Sequence, residues 1–375
     1  MNVKAASSLA ALGLLVGAFL ILNDQAGVED SGSTGPEIRI GWIGTVSEGQ
    51  RKYFHDQESL NAVLLAVESY NRRVTSSFRV KLLVEGIDED ASGIQSTYEN
   101  MVSQNIKVLL VNHYEGTILL AERAKQDDII LVNSAHNDHH LESLNENVFL
   151  IGKRTEDLSG LIADDIIYRE LSKILFVYSE QDNFMKRIAE ETEDVCMKTG
   201  LQCAFKPYQV LPDNFLDLVP ESELRQFHSF AFLGGDETGH AMKAVKEIFP
   251  FAPIYSVGVS EKLIQNAGKA TAGLFYVGFT ASDANREMTK EFTVRYFTKF
   301  KSYPAMFWKT LQAYDAINII LYSLNTVESG EGKLTDGLKT RLSSIENFNG
   351  VTGFITMLPE GSSRGVYWNL YQLAN

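Results

Sequence analysis

The sequence predicts an α/β protein built from parallel, doubly wound sheets, and three observations carry that expectation. Apolar runs of strand length alternate with segments of helical apolar spacing along most of the chain. The stretch 107–137 (KVLLVNHYEGTILLAERAKQDDIILVNSAHN) joins two fully apolar runs, 108–111 and 129–132, through about one helix. That is the βαβ pattern of a sheet covered on both faces. The chain has 375 residues, more than one core usually accommodates, so two lobes are expected.

Taken in order, the chain opens on an uncharged run from Ala5 to Leu22 that contains LAALGLLVGAFLIL, with Lys4 the only basic residue before Arg39. This is a signal for export. No small-x-small site stands out before Asp24 and no lipobox cysteine is present, so a removed signal and a retained membrane tether both stay open. Either way the body is expected in the periplasm or otherwise outside the cytoplasm. Residues 23–36 (NDQAGVEDSGSTGP) have the polar, Gly/Ser-rich composition of a linker.

Residues 37–44 (EIRIGWIG) alternate and end in glycine, as a first strand entering a cleft would. The loop after it carries Tyr53, and Leu60, Val63, Leu64 and Val67 then share one helical face. A strand over 78–84, a polar loop over 86–90 and a helix over 93–103 lead into the βαβ unit, whose helix is expected to begin near Gly116. Beyond it come a helix over 155–169, a strand over 174–178 and a helix over 182–198 with Gly200 as its stop. Strands over 203–210 and 227–233 follow, the second ending at Gly234-Gly235-Asp236 before a helix running to 249. Short strands at 254–257 and 274–277 complete the alternation. Three helices (287–300, 305–324, 334–345) and two closing strands (354–357, 366–370) are expected after that.

A net charge of −14 excludes a nucleic-acid partner, whose phosphates need a basic surface. No GxSxG, Walker A or GxGxxG motif occurs, so neither catalysis nor a nucleotide cofactor has a carrier, and no cofactor is expected. His136, His139 and His140 lie close together, but no second cluster stands at ligand spacing, so HNDHH reads as a solvated loop and not as a metal site. The two cysteines, Cys196 and Cys203, flank Thr199-Gly200; a disulfide and two free thiols are both compatible with that spacing. Tyr303, Phe307 and Trp308 at a helix start read as core or hinge packing.

Ligands of open parallel sheets bind beyond the carboxyl ends of the strands. Here that edge offers two small polar loops, 112–117 and 133–137, which are expected to form one wall of a cleft.

The chain resembles the type 1 periplasmic binding proteins, in the leucine/isoleucine/valine-binding branch of ABC-transporter solute receptors. The carriers of the likeness are IRIGWIG with LNAVLLAVESYN, the pair VLLVNHYEGT and ILVNSAHN, FAFLGGDETG, the YDAINIILYSL helix and the closing NFNGVTGFITMLPEGSSRGVYWNLYQ. The resemblance implies two Rossmann-like lobes joined by a three-crossing hinge, with the ligand held between them. One lobe would take 37–153 and 279–345, the other 154–278 and 346–375, after a signal or anchor and tether over 1–36.

The resemblance also assigns a pocket. Thr117 matches a family position that offers a hydroxyl at a helix start to a ligand carboxylate, and helix N-termini favour anions. Tyr114 shares its loop. Glu115 departs from the pattern, because a carboxylate there repels a ligand carboxylate unless it points away. The next loop supplies Ala135, His136 and Asn137. In the second lobe Asp236 stands where the family has an aromatic, and no acid falls near Val257-Gly258, where the family holds the ligand ammonium. Phe184 and Tyr53 are the aromatics expected to cover the ligand. The expected function is a non-enzymatic receptor for a small polar solute, an amino acid or related compound. It would present that solute to an ABC permease or, as the alternative, signal to a membrane-bound regulator.

Overall fold

Alternate residues of each strand feed opposite cores, which is what makes the sheets doubly wound. The computed structural model describes residues 35–45, 53–73, 75–76, 78–87, 93–142, 144–278, 286–304, 307–327, 333–366 and 368–374. Five parallel strands form the first sheet: β1 (Glu37–Thr45), β2 (Arg79–Ile87), β3 (Val108–Val111), β4 (Ile130–Asn133) and β5 (Val148–Leu150), in the order β2-β1-β3-β4-β5. Val108 and Leu110 of β3 point to one face and Leu109 and Val111 to the other. The first face is covered by helices α1 (Tyr53–Asn71) and α11 (Phe307–Thr326), which pack on each other. The second is covered by α2 (Ile94–Ser103) and α3 (Tyr114–Gln126), through Ile94, Tyr98, Met101 and Leu120. A short α4 (His139–Glu142) precedes β5.

The second sheet holds β6 (Lys173–Ser179), β7 (Gln202–Tyr208), β8 (Ser229–Leu233), β9 (Ile254–Val257) and β10 (Phe275–Gly278) in parallel, with β14 (Asn369–Gln372) antiparallel on β10. Its order is β14-β10-β9-β8-β6-β7. Phe176, Ala231 and Tyr255 face α5 (Thr155–Tyr168) and α6 (Asn183–Thr199). Leu175, Phe230 and Phe232 face α8 (Thr238–Ile248) and α9 (Glu261–Ala267), while a short α7 (Glu221–Leu224) lies ahead of β8. Asp182 caps α6 by accepting from the N–H groups of Phe184 and Met185. Gly200 ends it at φ 75°, a left-handed conformation that costs a glycine little. Cys196, in the last turn of α6, is joined to Cys203 of β7 by a disulfide.

The chain passes between the sheets after β5, again between β10 and α10 (Glu287–Phe300), and finally into β14. Helix α12 (Leu334–Ser343) precedes a small antiparallel sheet of β11 (Phe348–Asn349), β12 (Gly353–Met357) and β13 (Ser363–Val366). The carboxylate of Asp315 on α11 fixes its start, accepting from the N–H groups of Val351 and Thr352 and from the Thr352 hydroxyl. Gly361 O also accepts from the N–H of Leu150 at 2.8 Å.

Several details differ from the sequence reading, among them the short helices α4, α7 and α9 and the strand β11, which were not expected. Strand β5 was not expected. The single closing strand over 366–370 is two strands in different sheets, because β13 pairs with β12 and β14 crosses to β10. The helix expected near Gly116 starts earlier, at Tyr114, because the ring of His113 caps it.

Candidate binding cleft

Strands β3 and β4 pair in parallel with Leu110 opposite Val132, so the loops leaving them lie side by side. Side-chain hydrogen bonds zip the two loops together. The His113 Nδ1 accepts from the Gly116 N–H at 3.1 Å. The Thr117 hydroxyl donates to His113 O at 2.9 Å and accepts from Asn133 Nδ2 at 2.8 Å. Asn133 Oδ1 accepts from the N–H groups of Ala135 and His136, each at 2.8 Å, and the Ser134 hydroxyl donates to Asn112 Oδ1 at 2.8 Å. Thr117 is wholly buried, and these bonds occupy its hydroxyl within the fold. Glu115 is exposed, with its carboxylate 3.3 Å from His113 Nδ1.

Asn137 is also buried, and it ties the first passage between sheets to β13. Its Nδ2 donates to Gly152 O and to Ser363 O, both at 2.9 Å, and its carbonyl accepts from the Thr155 N–H at 3.1 Å. Its Oδ1 has no hydrogen-bond partner among the described residues.

Tyr114, His136 and Phe184 come together as rings. Tyr114 meets His136 edge-on, with centroids 5.5 Å apart, and His136 meets Phe184 at 5.7 Å. Phe184 belongs to α6, so this contact joins the two lobes. It continues through Trp308 at 6.3 Å to Trp368 at 5.0 Å. One turn beyond Phe184, Arg187 donates from Nε to the Tyr114 hydroxyl at 3.3 Å and pairs with Glu190. The Tyr114 hydroxyl in turn donates to Asp138 Oδ1 at 3.3 Å. Burial, and then the charge of Asp138, pushes the Tyr114 hydroxyl up to about 12. Burial also raises the Asp138 carboxyl, against the pull of the His140 and Leu141 N–H groups and of Arg187.

Asp236 lies on the neighbouring strand-end turn, since β8 pairs with β6. Its Oδ1 accepts from the Ser260 hydroxyl, and its carbonyl accepts from Asn266 Nδ2 at 2.8 Å. Both partners belong to the second lobe. Glu237 precedes α8 and accepts from the Tyr208 hydroxyl at 2.9 Å and from the Gly235 N–H at 3.1 Å. Tyr53 opens α1, but its side chain lies outside the described residues, as does the run from Ala5 to Leu22. No helix among the described residues is long and apolar enough to cross a membrane.

The structure therefore gathers Tyr114, His136 and Phe184 into one cluster, sets Thr117 in the first turn of α3 and Ala135 and Asn137 in the loop after β4, and keeps Asp236 bonded within its own lobe. Arg187 and Asp138 were missed by sequence reasoning. A signal for Arg187 exists: it stands three residues after Phe184, on the same helical face. A groove of about 700 Å³ between α1, α10 and α11, lined by Tyr70, Arg295 and Tyr322, is separate from these strand ends.

A model of the periplasmic binding protein family matches residues 37–374, and the chain belongs to that family. Its fold is similar to that of a leucine-binding protein from Thermotoga maritima, at 14% identity and a TM-score of 0.77 over 90% of this chain and 96% of that one. It is also similar to a branched-chain amino acid transporter substrate-binding protein from Streptococcus pneumoniae in complex with isoleucine. That match has 14% identity and a TM-score of 0.71 over 90% of this chain and 100% of that one. A solute-binding protein of an ABC transporter from R. palustris, in complex with benzoate, matches at 14% identity and a TM-score of 0.72 over 90% and 94% of the two chains. The family and these relatives are solute-binding proteins, not enzymes. No curated protein sequence is significantly similar to this chain.

Proposed function

We propose that this protein binds a small carboxylate-bearing solute, an amino acid or an aromatic acid, between its lobes and presents it to an ABC permease outside the cytoplasm. The observation that carries this reading is the meeting of the two strand-end edges. Tyr114 and His136 from the first lobe touch Phe184 and Arg187 from the second. The binding set is Tyr114, Thr117, Ala135, His136 and Asn137 on one side, Phe184 and Asp236 on the other, with Tyr53 covering. Thr117, Ala135 and Asn137 act through backbone and loop shape, since their polar groups hold the loops in place. The isoleucine and benzoate bound by the two relatives share only a carboxylate and an apolar body, which supports the solute class.

Closure follows from differential binding. A charge-assisted hydrogen bond contributes roughly 1.5–3 kcal/mol, and moving a mostly open population to mostly closed needs about 5.5 kcal/mol. Two such bonds at the strong end of that range, or three near its middle, reach that figure. The test is a thermal-shift screen of amino acids and small organic acids, followed by calorimetry. A saturable ligand is expected, with affinity at least tenfold weaker in Asp236→Ala and Phe184→Leu. A panel in which nothing binds, or unchanged affinity in both variants, overturns the reading.

The uncharged run from Ala5 to Leu22 without a lipobox cysteine favours a second reading, a tethered sensor acting on a membrane-bound regulator. Solute uptake that survives deletion of the gene would support it.

A further inference from the structure

The HNDHH loop meets two carboxylates that the sequence keeps far from it. His139 lies on α4 of the first lobe; Glu156, in the first turn of α5, and Glu191, in the middle of α6, belong to the second. A ring nitrogen of His139 and one carboxylate oxygen from each glutamate all lie within 4.8 Å of one another. His139 Nδ1 is 2.8 Å from Glu191 Oε1. Arg154 grips Glu156 through Nε and Nη2 at 3.2 Å each and reaches Glu142 at 3.1 Å. That grip fixes the direction of the Glu156 carboxylate and leaves it further lone pairs, since an ionised carboxylate has about four acceptor sites. Glu191 is largely buried, whereas the His139 ring is about half exposed. Two carboxylates are thus held against one imidazole at the line where the lobes touch.

We propose that His139, Glu156 and Glu191 form a zinc-type divalent metal site that spans the two lobes. One imidazole nitrogen and two carboxylate oxygens are a borderline donor set that suits zinc, whereas magnesium prefers oxygen alone. Tetrahedral zinc bonds of about 2.0–2.2 Å space their donors about 3.3–3.6 Å apart, so His139 Nδ1 and Glu191 Oε1, now 2.8 Å apart, part slightly to admit the ion while the wider spacings, all within 4.8 Å, close onto it. A water takes the fourth position, and Arg154 orients Glu156 from outside the coordination sphere. Because the donors come from both lobes, the ion favours the arrangement in which they are joined, and any solute that also favours that arrangement is bound more tightly in its presence. The site is independent of the solute reading, because it is assayed with metal alone.

The experiment uses the full chain, stripped with chelator and titrated with zinc chloride in a calorimeter and in thermal unfolding, with magnesium chloride in parallel. One saturable zinc site is expected, together with a raised unfolding temperature and no response to magnesium. His139→Ala and Glu191→Gln, one from each lobe, should each weaken zinc at least tenfold, while His228→Ala on the far surface binds as the wild type does. X-ray absorption of the zinc-loaded wild type should show one imidazole among oxygen donors, which keeps the test valid if a variant fails to fold. No saturable zinc binding, wild-type affinity in both variants, or a first shell without imidazole overturns the proposal.

Discussion

Asn133 Nδ2 donates to the Thr117 hydroxyl across 2.8 Å, with neither side chain exposed. This bond joins the end of β4 to the first turn of α3 and sets the spacing of the segments that leave β3 and β4. Thr117→Val keeps the shape and removes the acceptor, leaving a buried amide donor unsatisfied at a cost of about 1–3 kcal/mol. The unfolding free energy from urea titration should fall by that amount, through a lower midpoint at unchanged slope, and Thr117→Ser should recover most of it.

Asp315 gives the fold a pH dependence. Burial pushes its carboxyl up to about 6, against the three donors from Val351 and Thr352 and the nearby Arg286. A carboxyl raised in the folded state binds its proton more readily there than in the unfolded chain. Its contribution to stability is therefore full below about pH 4 and is lost as pH rises through about 6. The stability of the wild type relative to Asp315→Asn should grow by about 1 kcal/mol as pH falls from about 7 to 5. Denaturation at several pH values reads this directly, and a flat difference would refute it.

Tyr114→Phe removes the hydroxyl that receives Arg187 and reaches Asp138, while keeping the ring against His136. Losing a bond between the lobes costs about 1 kcal/mol, so the arrangement in which they touch should lose roughly fivefold in population. With solute near half-saturation, small-angle scattering of the variant is expected to show a larger radius of gyration than the wild type at the same solute concentration. Arg187→Ala should shift it in the same direction.

The Cys196–Cys203 disulfide closes a short loop between α6 and β7. Loops of this length contribute about 2–3 kcal/mol through the unfolded state. Replacing both cysteines by serine should lower the unfolding temperature by several degrees, and reduction of the wild type should reproduce that value.

The sheets were legible in the sequence because their strands are short and apolar on both faces, and helices of ordinary length separate them. β5 was not, since three residues leave no periodicity to read. The division of β13 from β14 escaped for another reason: β13 folds back on its neighbour β12 while β14 crosses to β10, far earlier in the chain, and local pattern carries no trace of that partner choice. The site followed the same rule. Polar residues at strand ends marked Thr117 and Asn137, but only the fold shows their side chains turned inward to hold loops together. Arg187 and Asp138 joined Tyr114 through tertiary contact alone. His139 looked solitary because both carboxylates near it arrive on other helices.

Helix α6 carries Phe184, Arg187 and Glu191 on the half that meets the first lobe, and at its far end it is cross-linked to β7, the outermost strand of its sheet. A helix of 17 residues is about 25 Å long. It works as a rod riveted at its base, so a pull felt at Phe184 is delivered to the outer rim of the second lobe without being absorbed in bending. A rotation that parts the rings at one end of α6 would therefore carry the surface beside Met197 and the edge strand β7 with it.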